Sequence, residues 1–248
     1  MANRNKSDIG FGKKVRGLWL DLALDFVANG VSFDDARSAL AEIIMIDNPG
    51  EDATRKILVG LNRVWFNPPD YCRTTRDAGV LLYRQVDLPI QRLVLHWGMA
   101  IAAYPFIGTV AEAVGRLLRL QGAVSISDVK RRVGEKFGDR EFVERIVRFN
   151  VSSFFDWGVI APTKKKGRYA AVQQIPVTNP EHTAWLIEAL LHSQADGGLD
   201  LAKVRQHPLL FPFALDGLLS SLAISKANSR LQTMRHGHMQ ELVMLREN

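Results

Sequence analysis

The sequence predicts a mainly α chain with two small β-hairpins, one in the middle third and one near the C-terminus. Three observations carry this. Apolar residues recur at helical spacing over most of the chain, as in Val15, Leu18, Leu22 and Phe26. Two short β-prone runs, Val159–Thr163 and Arg168–Val172, flank a turn that contains Gly167. The composition is that of a packed chain, with 47% hydrophobic and 23% charged residues among 248.

Taken in order, Val15–Asn29 reads as a first helix that Gly30 ends. Ser32 or Asp34 caps the second, which turns Ala36, Leu40, Ile43 and Ile44 inward; Asp34 and Asp35 complement its dipole. Asn48-Pro49-Gly50 is a turn, Glu51–Val64 a third helix, and Asn67–Asp70 its stop. Arg73–Tyr83 and Pro89–Ala103 continue the helical pattern. Further on, Pro180–Ser193, Leu199–Gln206 and Phe213–Ile224 read as helices, and Arg230–Leu245 as two strands turning at His236-Gly237-His238. The expected regions are 1–105, 106–176 and 177–248.

Leu93–Ala111 lacks Asp, Glu, Lys and Arg, so it meets the first test for a membrane span. His96, Gly98, Pro105 and Gly108 interrupt it. The expectation is a buried helix, a break at Tyr104-Pro105, and a new helix, with no membrane contact. Cys72 stands alone, which excludes an intrachain disulfide and fits a reducing cytoplasm. Met1–Lys14 has no apolar core of a secretory signal. The five tryptophans lie in apolar stretches and are expected in the core.

Charge is unevenly placed. The net charge is +6, and segment 111–180 alone carries 13 basic against 7 acidic residues, an excess equal to that of the whole chain. A polyanion-binding surface belongs there. Within it, Thr109–Leu120 is a helix stopped by Gln121-Gly122, and Ala123–Ile126 is a short extended piece. Ser127 is the expected cap of the next helix, whose apolar face is Val129, Val133 and Phe137. Asp139 caps a third, with Phe142, Val143, Ile146, Val147, Phe149, Asn150 and Phe154 inward. Glu141, Glu144, Arg145, Arg148 and Ser152 face outward, and Trp157-Gly158 closes the helix.

The order helix, short strand, helix, helix, hairpin resembles the winged helix-turn-helix family over Thr109–Val172. The passage Phe155-Asp156-Trp157-Gly158-Val159-Ile160 is similar to that family's step from recognition helix into wing. The resemblance implies that the Asp139–Phe155 helix enters the major groove of double-stranded DNA. It also implies that the Lys164–Arg168 wing follows the backbone or the minor groove. Lys164, Lys165, Lys166 and Arg168 would then reach phosphates, and Arg145 and Arg148 a guanine edge or a phosphate. Lys130 and Arg131 would reach the flanking backbone, and Arg140 and Ser152 complete the candidate set. The same charges also fit a solvated face, because Glu141 and Glu144 stand four residues before Arg145 and Arg148.

No phosphate-loop, dinucleotide, nucleophile-elbow or zincin motif is present, so no catalytic site and no cofactor is expected. His236 and His238 have metal-ligand spacing on a strand but lack companions. The basic run Arg4, Lys6, Lys13, Lys14 and Arg16 reads as a disordered tail or a minor-groove arm. The expected function is non-enzymatic binding of double-stranded DNA. An accessory role in a prokaryotic DNA-processing or phage-defence system is one context. The alternative is a scaffold subunit that binds other proteins. Homodimers are common among such modules, although no heptad run marks one here.

Overall fold

The computed structural model describes residues 10–47, 50–86, 89–138, 141–194, 198–215, 220–236 and 240–246. The first region is helical: α1 (Gly17–Ala28), α2 (Phe33–Asp47), α3 (Glu51–Leu61), α4 (Arg73–Tyr83) and α5 (Pro89–Ala103). Ser32 is the cap of α2, accepting from the Asp35 amide. The third helix is shorter than expected and runs into a π-helical turn, Asn62–Phe66. Arg76 caps that turn by donating to the carbonyls of Trp65 and Phe66.

The break at Tyr104-Pro105 is present, and α6 (Pro105–Gln121) starts four residues earlier than expected, because Pro105 is favourable in the first turn. Among the described residues no single helix is long and apolar enough to cross a membrane. The α5–α6 pair passes the test together only across a bend of 118°. Both helices are largely buried in the core.

The chain continues as β1 (Val124–Ser125), α7 (Ile126–Phe137), α8 (Glu141–Asp156), β2 (Ile160–Pro162) and β3 (Arg168–Ala171). These three strands form one antiparallel sheet in the order β1-β3-β2. Then come β4 (Ile175–Val177), α9 (Pro180–Ser193), β5 (Gly198–Asp200), α10 (Leu201–Val204), β6 (Phe213–Leu215), α11 (Ser221–Ala227), β7 (Leu231–His236) and β8 (Gln240–Leu245). The expected C-terminal strand pair is there. Two expected helices are corrected. Leu199–Gln206 begins as β5, which adds to the edge of β8. Phe213–Ile224 begins as β6, which pairs in parallel with β4, and its later described part, from Ser221, is helical. The expected turn at Asn48-Pro49, the turn at 237–238, the side chains of His236 and His238, and the basic residues Arg4 and Lys6 lie outside the described residues.

One hydrophobic core runs through all three regions. Trp97 of α5 is its hub. Its ring lies 4.9 Å from Phe154, 6.1 Å from Trp157, 5.5 Å from Phe211 and 6.0 Å from Phe213. Its Nε1–H donates to the Leu209 carbonyl at 3.2 Å. All five tryptophans are buried, as expected. Gly79 and Gly98 let α4 and α5 close on the Trp185 ring, where an added Cβ on Gly98 would come within 2.3 Å.

Cys72 is fully buried, and burial pushes its thiol up to about 12. The thiolate is the reactive form, so the native protein is expected to resist a thiol reagent that labels the urea-unfolded chain at once. Rapid labelling of the folded protein would contradict this packing.

Candidate nucleic-acid interface

Gly122, with φ of +70°, ends α6 and turns the chain into β1. The cap of α7 is Ser125, two residues earlier than expected. Ser125 Oγ accepts from the Asp128 amide at 3.1 Å, and the Asp128 carboxylate accepts from the Ser125 amide at 3.0 Å. The Ser125 hydroxyl and amide, with Arg168 and Arg131 nearby, hold the Asp128 carboxyl below the usual range. Asp139, the expected cap of α8, and Arg140 lie outside the described residues.

The α8 helix buries Val143, Ile146, Val147, Asn150, Val151 and Phe154. Phe142 and Phe149, expected inward, are half-buried at the margin of that face. Glu141, Arg145, Arg148 and Phe155 are exposed and, with half-buried Ser152 between the last two, make a single outward stripe at helical spacing. The Arg145 guanidinium lies 5.7 Å from the Phe142 ring and that of Arg148 5.4 Å from the Phe149 ring. Neither is ion-paired among the described residues. Glu144 pairs with Lys130 of α7 at 2.8 Å rather than with Arg148. Ser152 spends its hydroxyl on the Arg148 carbonyl at 2.8 Å.

The β2–β3 turn is fixed by its own backbone. The Thr163 amide donates to the Arg168 carbonyl at 2.9 Å, the Arg168 amide to the Lys165 carbonyl at 3.2 Å, and Gly167 takes a φ of +76°. Thr163 Oγ1 also accepts from the Lys165 amide. Lys164, Lys165 and Lys166 stand exposed at the tip, without a paired carboxylate among the described residues. Arg168 behaves differently. Its register opposite Ser125 turns the side chain inward, where it donates to the Ala123 carbonyl at 2.9 Å and Gln121 Oε1 at 3.2 Å and faces Asp128 at 3.4 Å. It fastens β3 to the start of α7.

Of the residues expected from the sequence, Arg131, Arg145, Arg148 and Lys164–Lys166 are therefore exposed cations outside ion-pair distance of any carboxylate among the described residues. Lys130 and Arg168 are engaged within the protein, and Ser152 is engaged through its hydroxyl. Helical spacing and charge runs did not point to Lys13 reaching α8. Its Nζ lies 5.4 Å from the centroid of the Phe149 ring, which the Arg148 guanidinium also approaches at 5.4 Å. The available signal is Phe11, an aromatic residue close to Ile9 in a largely polar lead, which anchors the segment in the core. Among the described residues no group of three or more His, Cys, Asp or Glu side chains is arranged to hold a metal.

Comparison with known protein families, curated proteins and solved structures finds no match.

Proposed function

We propose that residues 105–171 form a winged helix-turn-helix and that this unit binds double-stranded DNA without catalysing a reaction. Support for the fold comes from the order α6, β1, α7, α8, β2, β3 and from the β1-β3-β2 sheet, which seats the hairpin beside the end of α8. The Phe155 ring on α8 lies 5.9 Å from that of Tyr169 on β3, so helix and hairpin present adjoining surfaces. The binding reading is carried by one observation. Arg131, Arg145, Arg148, Lys164, Lys165 and Lys166 project from α7, α8 and the hairpin tip, with no carboxylate at ion-pair distance among the described residues. A phosphate backbone supplies that charge and releases counterions in exchange.

Roles divide by position. Arg145 and Arg148 on the α8 stripe suit base edges, and the tip lysines suit phosphates. Changing Lys164, Lys165 and Lys166 together to Ala is expected to weaken all duplexes alike and to lower the log–log salt slope by up to about 2.7. Changing Arg145 and Arg148 to Ala is expected to flatten differences between sequences, by about 1–3 kcal/mol for each arginine–guanine pair removed. Fluorescence anisotropy over a salt series measures both. A salt slope unmoved by the triple change would contradict the assignment.

One feature favours the second reading, a protein-binding subunit. An open groove of about 690 Å³ between α6 and α7 is lined by Ala113, Leu117, Pro208 and the exposed Leu120 together with charged residues such as Glu112, Arg116, Arg132 and Glu135. A Leu120→Asp variant that keeps full duplex affinity but no longer binds a protein partner would support that role.

A further inference from the structure

We infer that Lys13, held against α8 by the segment leading into α1, contacts a backbone phosphate of the same nucleic acid. This rests on the binding reading above and adds to it a contact from the far end of the chain.

The segment around Lys13 is fastened on both sides. Before it, Phe11 is 1% exposed and packs edge-on against Tyr104 and Trp157, with ring centroids at 5.6 and 6.1 Å. After it, the Val15 amide donates to Ser153 Oγ at 2.9 Å, and Trp157 Nε1 donates to the Val15 carbonyl at 3.0 Å. The Gly17 amide donates to Asp156 at 3.1 Å. The backbone of Lys13 is thus ordered by the fold, and a ligand need not bear that cost.

Its neighbours are already neutralised. Lys14 pairs with Asp156 at 3.3 Å, and Arg16 pairs with Asp47 and with Asp156. Lys13 is half-buried and pairs with no carboxylate among the described residues. Instead its ammonium and the Arg148 guanidinium each lie 5.4 Å from the centroid of the Phe149 ring. The ring face attracts both cations, yet the cations repel each other. A phosphate at Lys13 supplies the anionic partner that this ammonium lacks among the described residues and lessens its repulsion with Arg148. Arg148 stands on the outward stripe of α8 with Arg145, so an anion reaching Lys13 also lies along the proposed duplex path.

Lys13→Ala, Lys13→Glu and the control Lys14→Ala separate the possibilities on a short labelled duplex, with thermal melting to confirm the fold. Removal of one phosphate contact is expected to lower the salt slope by about 0.9 and to weaken binding roughly eightfold at about 0.1 M salt. Lys13→Glu should weaken it further, and Lys14→Ala should leave slope and affinity near those of the parent. If the parent binds and the tip-lysine variant weakens it, but Lys13→Ala leaves the slope unchanged, this contact is overturned while the binding reading stands. If the parent itself binds no duplex, both fall.

Discussion

Changing Arg230 to Ala is expected to destabilise the protein by about 3–5 kcal/mol, the cost of stripping a buried carboxylate of its cation. Glu188 of α9 is 1% exposed. Arg230, at the start of β7, meets it with both arms, Nε to Oε1 at 2.8 Å and a terminal nitrogen to Oε2 at 2.7 Å. Thr75 Oγ1 of α4 adds a bond of 2.7 Å and Asn228 Nδ2 one of 2.5 Å. An ionised Glu188 can only accept, so the Thr75 hydroxyl points at it. The His192 Nε2–H, 2.9 Å away, then donates to Thr75. Burial pushes the Glu188 carboxyl up, but the hydrogen bonds from Arg230, Thr75 and Asn228 outweigh it and hold the group below its usual range.

The sign of the pH dependence follows. A folded-state pKa below the unfolded value contributes stability above about pH 4.5, which disappears as pH falls through the folded value. The gap between the parent and Arg230→Ala should therefore be full at pH 7 and narrow below about pH 4.5. Urea denaturation at both ends of that window measures it. A gap under about 1 kcal/mol at neutral pH would mean that the cluster does not hold the C-terminal sheet to the helices.

Gly115→Ala is expected to have a comparable effect, opposite in sign to the usual one. In an ordinary helix interior that change stabilises by up to about 1 kcal/mol. Here the new Cβ would sit 1.9 Å from the Pro208 carbonyl oxygen and 2.8 Å from its carbon. Both are backbone atoms, so no side-chain rotation relieves the clash. The short 3₁₀ turn Pro208–Leu210 must lift from α6, which also strains the Trp97–Leu209 hydrogen bond. A destabilisation of about 3 kcal/mol is expected, lowering Tm by about 6–12 °C. An unchanged or raised Tm would show that this close approach is absent in solution.

Neither close approach could be read from local sequence, because each joins segments far apart along the chain. Helices with sustained periodicity and plain punctuation were readable, including the Ser32 cap of α2 and the break at Tyr104-Pro105. The hairpin was readable because Gly167 and the lysines separate two β-prone runs. The β4–β6 pair was not. Each strand has only three residues, too few for a period, and its partner lies far along the chain. Likewise β5 is a strand only because β8 offers it an edge, so local propensity is overridden by tertiary pairing.

At the candidate interface, charge placement was legible but charge availability was not. Arg168 and Lys164 look alike in sequence. Arg168 turns inward because it sits opposite Ser125 and beside Asp128. Lys130 is engaged because packing of α7 on α8 brings Glu144 to it, where helical spacing alone offered Arg148 as the partner of Glu144. The remaining cations, together with Lys13, make up the proposed surface.

The most direct measurement is a titration of the unmodified protein with labelled duplex at about 50 and about 200 mM salt. A surface using about four or five phosphate contacts predicts tight binding at the lower salt and a weakening of about 150- to 500-fold at the higher. Absence of duplex binding at the lower salt, or affinity indifferent to salt, would contradict the account.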